Sequence, residues 1–383
     1  MSTIHWTEND PRGDTVSSGS ARWHSENATP PPPRVVRADD RMKADTAYRL
    51  ACEGTALLWQ GDFHNARQLM QAMGRRIDRK APQGGGSPAE SFHLHRRARR
   101  HRARVLGKLL VLLDGEHRLD LRRAPDVRQA CAEAYGPPTG PTAVSLTELL
   151  GVIGAHEWRR RGVEVPALAA RIHPHYGVFS PVRGEYVDLV AQAPLPAAAG
   201  DGTAHRTAFD LGTGTGVLAA VLAHRGIEHI VATDISARAL ACARENVLRL
   251  GFADRIDVVG PDLFPPGRAD LVVCNPPWLP GRPNSAVEQG VYDADGGMLR
   301  SFLTGLAEHL VPGGEGWLVL SDLAEHLGLR TRDDLTTAIG EAGLRVVGRL
   351  DTSPRHPRAS DPADPLHAAR ARETTSLWRL SAD

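Results

Sequence analysis

The 383-residue chain is long enough for two domains, and its formal net charge of +1 provides no overall field that would attract nucleic acid or an acidic membrane. No run approaches the roughly 20 apolar residues of a membrane helix, and the N-terminus lacks the apolar core of a secretory signal. The four cysteines show neither paired nor metal-ligand spacing. We therefore expect a cytoplasmic protein with reduced thiols, no membrane partner and no metal.

Residues 1–37 predict a disordered N-terminal tail. The segment mixes Ser, Thr, Gly, Asp and Glu and ends in a run of four prolines at 30–33. A stretch of this composition buries too little apolar surface to offset the entropy lost when a chain becomes ordered.

Residues 38–170 predict a separate, mainly helical domain that would act as an accessory or substrate-recognition module. Apolar residues keep helical spacing over 47–52 and over 63–77, and Gly61-Asp62 separates the two stretches, which indicates a helical hairpin. A second amphipathic helix is expected over 145–161.

The densest positive segment of the chain lies at 93–104, within this domain. A helix there would carry cationic side chains on most of its faces, which suits contacts with phosphates. Runs of charge are also common on solvated helix faces, and the sequence leaves both interpretations open. The candidate substrate-binding residues of this segment are Arg96, Arg97, Arg99 and Arg100.

From residue 171 to 383 strands and helices alternate, which predicts a parallel sheet with helices on both faces. The predicted strands are 207–211, 229–234, 255–259, 269–274, 315–320, 344–351 and 374–380. The predicted helices are 216–225, 236–250, 296–311 and 332–342. Ligands of such sheets bind at the carboxyl ends of the strands.

Three glycines, Gly212, Gly214 and Gly216, follow the first of these strands. Glycines at this spacing let the backbone turn tightly beside a ligand at a helix N-terminus. Dinucleotide-binding loops need a glycine at the position of Val217, and the Asp210 carboxylate would repel a pyrophosphate. A ligand that carries an ammonium and a sulfonium suits this loop better, which favours S-adenosylmethionine over NAD.

Two further carboxylates follow the next strands. Asp234 ends the second strand about 20 residues beyond the glycines, the offset at which an acid reaches ribose hydroxyls in nucleotide-binding folds. Asp262 follows the third strand, where it can accept a hydrogen bond from the adenine amine while Leu263 packs on the ring. Each alone is compatible with an ordinary turn residue, but their joint order favours a cofactor site.

The strand over 269–274 runs directly into Asn275, Pro276, Pro277 and Trp278. The lone pair of a primary amide or of a base's exocyclic amine is delocalised, so these nitrogens are poor nucleophiles. The Asn275 side-chain oxygen and the Pro276 carbonyl can hold the two N–H hydrogens, and Trp278 can stack on the planar group. Two prolines keep the turn rigid and free of N–H donors.

The region from about 172 to 380 resembles a class I S-adenosylmethionine-dependent methyltransferase of the Asn-Pro-Pro-aromatic group. This group includes the "methyltransferase small" enzymes, which act on guanine-N2 of ribosomal RNA, on adenine-N6 or on glutamine of release factors. Residues 176–181, Tyr-Gly-Val-Phe-Ser-Pro, are similar to a stretch that precedes the core of the guanine-N2 enzymes, and the tail 373–380 resembles the last strand of the glutamine methylases. The resemblance implies a Rossmann-like seven-stranded α/β sheet that transfers a methyl group.

The resemblance also implies which residues bind. The cofactor would contact Asp210, Gly212, Thr213, Gly214, Gly216, Asp234, Ile235, Asp262, Leu263 and Asn275. The catalytic tetrapeptide would be Asn275 to Trp278, and Phe179 and Arg183 join the candidate substrate-binding residues. Trp278 departs from the Phe or His usual in the guanine-N2 enzymes.

The acceptor is left open by the sequence. A nucleic-acid base, in RNA rather than DNA, is favoured by the arginine-rich segment, whereas the tail strand and the N-terminal domain suit a protein glutamine. A small-molecule acceptor and a non-catalytic binding subunit are further alternatives, and the oligomeric state is not indicated.

Overall fold

The chain forms two compact units in a computed structural model that describes residues 2–9, 16–79, 85–182, 184–196, 206–285, 287–355 and 361–382. The first unit comprises Met1–Gly84 and His93–Glu157, and the second comprises Gly85–Phe92 and Trp158–Asp383. None of the described helices is long and apolar enough to cross a membrane.

Among the described residues, the first unit contains six strands and parts or all of five helices. Its strands are β1 (Thr3–Asn9), β2 (Val16–Trp23), β3 (Val35–Ala38), β4 (Ala56–Trp59), β5 (Leu109–Leu113) and β6 (Thr142–Ser145). Its helices are α1 (Ala44–Cys52), α2 (Phe63–Asp78), α3 (Pro88–Leu106), α4 (Arg128–Tyr135) and α5 (Leu146–Arg161). The strands form one sheet in the order β1-β2-β6-β5-β4-β3. Helices α3 and α5 each extend into the second unit.

The prediction of a disordered tail over 1–37 is wrong for residues 2–9 and 16–37, and residues 1 and 10–15 lie outside the described residues. Strands β1 and β2 pair antiparallel, and Trp6 lies opposite Gly19. Ile4 and Trp6 are buried because every second residue of β1 faces the core. A Cβ at Gly19 would lie 2.3 Å from the Trp6 ring, so glycine makes room for the indole. Average composition hides this alternation, since the exposed face supplies most of the polar residues.

The prediction of a mainly helical domain over 38–170 misses the sheet, although α1–α5 supply most of the ordered residues of this range and α1 and α2 lie where the spacing predicts them. Strand β4 runs between these helices and pairs in parallel with β3, so α1 is a crossover between strands instead of half of a hairpin. All four residues of β4 are buried, and periodicity cannot separate so short an apolar run from part of a helix.

The boundary between the units also lies earlier than the predicted residue 170. The short hairpin after α5, β7 (Val163–Val165) and β8 (Ala170–Ile172), places Leu168 and Ile172 in the hydrophobic core of the second unit. These apolar residues therefore belong to the second unit, and the division occurs within α5 after Glu157.

The second unit is built around a seven-stranded sheet. Its strands are β9 (Thr207–Leu211), β10 (His229–Thr233), β11 (Ile256–Val259), β12 (Ala269–Cys274), β15 (Leu310–Ser321), β16 (Leu344–Thr352) and β17 (Thr375–Ala382), and a separate short pair is β13 (Leu279–Pro280) and β14 (Tyr292–Asp293). Its helices are α6 (Glu185–Gln192), α7 (Val217–His224), α8 (Ala237–Arg249), α9 (Gly297–Leu306), α10 (Leu323–His326), α11 (Arg332–Glu341) and α12 (His367–Arg370). Short 3-10 turns occupy Pro166–Leu168, Val287–Gly290, Ala294–Gly296 and Ala307–His309.

The strand order of this sheet is β11-β10-β9-β12-β15-β17-β16. Neighbours from β11 to β15 are parallel, and β17 is antiparallel to both β15 and β16. The predicted seven-stranded Rossmann-like sheet, with the last strand as the antiparallel member, is therefore confirmed.

Both faces of the sheet are covered, which explains why its strands are apolar without alternation. Along β12, Leu271 and Val273 pack into a core with α6 and α7, whereas Val272 and Cys274 pack into a second core with α9 and α11. Parallel strands buried on two faces read as continuous hydrophobic runs.

The register of the three central strands brings their carboxyl ends to the same level. Leu211 at the end of β9 pairs with Thr233 of β10 on one side and with Cys274 of β12 on the other. The residues that follow these strands, Gly212, Asp234 and Asn275, therefore emerge together at one edge of the sheet.

Replacement of Ile4 by alanine tests whether the N-terminal strands are structural. Ile4 is buried, and removing a buried branched side chain should lower the free energy of unfolding by about 2–5 kcal/mol. Urea denaturation followed by tryptophan fluorescence measures the change. Thr7→Ala, at an exposed position of the same strand, is the matched control and should shift stability by less than about 0.5 kcal/mol. Equal stability of the two variants would contradict the burial of β1.

Candidate cofactor and acceptor site

The glycine turn after β9 requires glycine at all three of its positions. Gly212, Gly214 and Gly216 have φ angles of +70°, +56° and +80°, values that side chains with a Cβ rarely adopt. A Cβ at Gly216 would also lie 3.3 Å from the Ala243 backbone, so this residue lets α7 begin close to α8. The turn thus brings its backbone directly to the N-terminus of α7.

Asp210 stabilises this turn through hydrogen bonds to its buried carboxylate. The residue is 1% exposed, and its Oδ2 accepts hydrogen bonds from Thr213 Oγ1 at 2.6 Å and from the Ala219 amide at 3.0 Å. Burial raises the pKa of the Asp210 carboxyl to about 6, although both hydrogen bonds oppose the shift. The sequence predicts direct contact between Asp210 and a cationic ligand; in the structure the carboxylate is buried and bonded to the turn and to the start of α7.

Asp234 follows β10 and contacts the same turn. Its Oδ2 accepts from the Gly214 amide at 3.0 Å, and its Oδ1 accepts from the Ser236 amide at 2.8 Å. Burial raises the pKa of Asp234, and these backbone bonds lower it in part. The carboxylate is only partly buried, so lone pairs remain for a ligand.

An exposed apolar side chain and an exposed carboxylate lie beyond Asp234. Ile235 is 79% exposed, which is unusual for an isoleucine. The Leu263 carbonyl accepts a 2.6 Å bond from Thr233 Oγ1, which holds the segment containing Asp262 beside the end of β10. Asp262 is exposed. Apolar surface next to a hydrogen-bond acceptor suits a flat ring that carries an amine.

The tetrapeptide after β12 contains a bond that the sequence does not predict. The Trp278 indole N–H donates to Asn275 Oδ1 at 2.8 Å, and the ring packs partly buried against both hydrophobic cores of the second unit. Pro276 is buried and Pro277 partly buried. Trp278 therefore orients the Asn275 amide as well as presenting an aromatic ring.

Cys274, next to this turn, is not a nucleophile. The residue is fully buried, and burial raises the pKa of its thiol well above the usual value. A thiol that stays protonated is a small apolar side chain at the end of β12.

Met298 joins the site, and the sequence analysis missed it. Asp293 at the end of β14 accepts from the Met298 and Leu299 amides, both at 3.2 Å, and so fixes the start of α9. A Cβ at Gly212 would lie 2.4 Å from the Met298 methyl group, so this side chain covers the glycine turn. Asp293 followed by Gly296 and Gly297 is the signal that could have indicated this capped start.

Asn246 is a second residue that the sequence analysis missed. This buried side chain donates to the Thr215 carbonyl at 3.0 Å and accepts from the His173 amide at 2.8 Å. It therefore ties the glycine turn to the segment before α6. A polar residue inside an otherwise apolar helix face was the available signal.

The candidate substrate residues have different outcomes. Phe179 packs against Gly290, where a Cβ would lie 2.7 Å from the Phe179 Cβ, so the 177–180 stretch adjoins the segment that follows the tetrapeptide. Arg183 lies outside the described residues. The glycine turn and the tetrapeptide lie in the second unit, whereas the candidate arginines of α3 lie in the first; they are Arg96, Arg97, Arg99 and Arg100.

The strand order and the site at the carboxyl ends of β9, β10 and β12 define a class I, Rossmann-like α/β domain. Residues 169–342, somewhat less than half of the chain, match the family described as the methyltransferase small domain. The predicted resemblance is confirmed at this level.

Three curated relatives illustrate the range of this similarity. The release factor glutamine methyltransferase of Cereibacter sphaeroides is 35% identical over 41% of this chain and 60% of its own length. The tRNA1(Val) (adenine(37)-N6)-methyltransferase of Bacteroides thetaiotaomicron is 44% identical over 20% of this chain and 34% of its own. The ribosomal RNA small subunit methyltransferase C of Alcanivorax borkumensis is 35% identical over 29% and 31%. The chain thus spans less than two thirds of these relatives.

Solved structures are more distant. The ribosomal protein L11 methylase of Lactobacillus delbrueckii subsp. bulgaricus is 19% identical, with a TM-score of 0.37 over 54% of this chain and 82% of that protein. A S-adenosylmethionine-dependent methyltransferase of Thiobacillus denitrificans in complex with S-adenosylhomocysteine is 18% identical, with a TM-score of 0.35 over 54% and 92%.

The residues at the site fit the cofactor of this family. The three glycines of the Gly212–Gly216 turn have no side chains that would cover its backbone. Asp234 offers partly exposed carboxylate oxygens. Ile235 offers an exposed apolar side chain, and Asp262 offers an exposed acceptor. These groups match, in order, a charged chain, a sugar diol and adenine. S-adenosylmethionine is the cofactor of this family, and the site suits it.

Asp210→Asn tests the buried carboxyl beneath the glycine turn, because asparagine keeps an acceptor oxygen but does not ionise. The folded-state pKa of about 6 lies above the ordinary 3.8, so the folded protein holds this proton more tightly than the unfolded chain does. The contribution of Asp210 to stability is therefore complete below a pH of about 4 and is lost as the pH rises through about 6, by up to about 3 kcal/mol.

We expect the free energy of unfolding of the variant, minus that of the wild type, to increase by this amount between a pH of about 4 and about 7. Urea titrations at several pH values measure it. Parallel pH profiles for the two proteins would show that Asp210 ionises normally.

Proposed function

We propose that this protein transfers a methyl group from S-adenosylmethionine to a planar amino group, and that the acceptor is the exocyclic amine of a nucleic-acid base, in RNA rather than DNA. The observation that carries the proposal is the position of Asn275. Its amide and the Pro276 carbonyl follow β12, in register with the strand that leads into the glycine turn.

The residues of the chain have separable roles in this reaction. S-adenosylmethionine supplies an electrophilic methyl group on its sulfonium. Asn275 Oδ1 and the Pro276 carbonyl accept the two N–H hydrogens of the acceptor, which draws the nitrogen lone pair out of conjugation. Trp278 keeps the Asn275 amide oriented through its indole N–H.

A strong base is not needed for this chemistry. The acceptor nitrogen becomes cationic when it is alkylated, and such a nitrogen is acidic enough to give its proton to water. The buried thiol of Cys274 accordingly needs no part in the reaction.

RNA is favoured as the source of the amine by the first unit. Helix α3 carries exposed arginines, including Arg97, Arg99 and Arg104, along a continuous helix, and cationic helices suit phosphate contacts. Two of the relatives are methyltransferases of tRNA and ribosomal RNA by name.

A glutamine side chain of a protein is the second candidate. The relative from Cereibacter sphaeroides, a release factor glutamine methyltransferase, aligns over 173 residues, more than either RNA methyltransferase does. A primary amide presents the same planar NH₂ to Asn275 and Pro276, so the acceptor site itself does not separate the two candidates.

Tritiated methyl transfer into a cell lysate, divided between nuclease and protease treatment, separates them. Loss of acid-precipitable label after ribonuclease supports an RNA acceptor, and loss after protease alone overturns it in favour of the glutamine alternative. Label that is acid-soluble before either treatment would indicate a small molecule and would contradict both.

Asn275→Ala tests the acceptor site. The variant should lower methyl transfer about 100-fold or more, since one of the two acceptors that aim the nitrogen is lost. Binding of S-adenosylmethionine, measured by calorimetry, should change little. Cys274→Ala is the control at the neighbouring position and should keep turnover. Normal activity of Asn275→Ala would remove this residue from the mechanism.

Trp278→Phe separates the two contributions of the indole. Phenylalanine keeps an aromatic ring in this place but cannot donate to Asn275 Oδ1. Loss of one hydrogen bond, about 1–1.5 kcal/mol, should lower kcat about tenfold with little change in cofactor affinity. Trp278→Ala should lower kcat further, because it removes the ring as well. A kcat of Trp278→Phe equal to wild type would show that only the ring matters.

A further inference from the structure

Helices α2 and α3 of the first unit pack together through an arginine. A Cβ at Gly74 of α2 would lie 2.6 Å from the Arg102 guanidinium, so glycine permits the close approach of the two helices. The same guanidinium lies 3.4 Å from the Asp78 carboxylate. The arginines at the end of α2 therefore adjoin the arginine-rich helix.

The carboxylates near the end of α2 already have cationic partners. Arg76 donates to Asp45 at 2.5 Å, and Asp78 pairs with Arg102. The side chains of Arg75 and Arg79 have no hydrogen bond or ion pair with any described residue, and both are exposed, although the charge of Arg79 acts on the Asp45 carboxylate. A cavity of about 430 Å³ is lined by Arg75, Arg76, Asp78 and Arg79. Its wall thus carries three guanidinium groups and one carboxylate.

Helix α3 adds a fourth guanidinium at the end of α2, that of Arg102 beside Gly74 and Asp78. The guanidinium groups of Arg75, Arg76, Arg79 and Arg102 therefore face only the carboxylates of Asp45 and Asp78 among the contacts described above. Holding an excess of like charge close together is unfavourable without an anion, so the arrangement suits an anionic ligand.

We propose that this α2–α3 arginine surface, defined by Arg75, Arg76, Arg79 and Arg102, binds the phosphate backbone of the RNA acceptor; the inference rests on the proposed function for the identity of the polyanion. Arginine forks match phosphate oxygens and stay charged at every physiological pH. Binding releases counterions from the RNA and depends on salt.

The composition of the surface favours RNA over an anionic membrane. The exposed residues of α2 before Arg75 include His64, Gln68 and Gln71, which are polar. No large hydrophobic side chain is exposed in the described residues of α2 or α3. A helix that binds a bilayer inserts an apolar face, and neither helix has one to offer.

The double substitution Arg75→Gln with Arg79→Gln tests the surface. Fluorescence anisotropy with a labelled RNA hairpin, at several salt concentrations and without cofactor, measures affinity. The slope of log affinity against log salt should decrease by about 0.7–0.9 for each lost phosphate contact, and affinity should fall about tenfold at low salt.

Arg49→Gln with Arg118→Gln is the matched control. It removes the same charge from the first unit, but both arginines are already paired, with Glu53 and Asp114 respectively. Affinity and slope of this control should stay near those of the wild type. Equal losses of RNA affinity in the two double variants would show that only net charge matters, and would overturn the proposal that this surface binds RNA.

The RNA-binding assay and the methyl-transfer assay test the two proposals independently. RNA that is methylated by the wild type and bound equally well by Arg75→Gln/Arg79→Gln overturns the surface while the proposed function stands. Arginine-dependent RNA binding without methyl transfer to RNA supports the surface and removes RNA as the acceptor. Binding of the wild type to phosphatidylglycerol vesicles but not to RNA would overturn the proposal in favour of a membrane.

Discussion

The parallel register of β9, β10 and β12 is the constraint on which the candidate site depends. The hydrogen bonds of the sheet set Leu211, Thr233 and Cys274 side by side, so the three segments that follow have no freedom to begin elsewhere. Short side-chain bonds then connect these segments. The Gly214 amide donates to Asp234, and Thr233 donates to the Leu263 carbonyl. The hydrogen bonds between the buried strands therefore determine where the residues of the candidate site lie relative to one another.

Much of this half of the chain could be predicted because its signals are local. Continuous apolar runs are followed by Gly212, Asp234 or Asn275. Such a run indicates both where a strand ends and which group follows it. Parallel topology then determines that these groups meet. The contacts of Asp210 and Trp278 could not be predicted in this way, since each depends on a side chain turning inward toward a partner three residues along the chain. Sequence specifies such a residue type but not its rotamer.

The fold of the first unit was harder to predict because its signals are not local. Its strands are short, and one of them, Val16–Trp23, contains three serines and a glycine that lower its average hydropathy. What orders the segment is burial of a few large side chains, Ile4 and Trp6 among them, against strands far away in the sequence. Composition gives only the average hydropathy of a segment, whereas a half-buried strand depends on the difference in hydropathy between its two faces.

Asp234 has a consequence for the entropy of ligand binding. Its Oδ2 accepts from the Gly214 amide and its Oδ1 accepts from the Ser236 amide, so the backbone holds both oxygens before any ligand arrives. A side chain held in this way has little rotamer freedom left to lose when a donor binds to it. The entropy of positioning this carboxylate is therefore lost when the chain folds and not when a ligand binds.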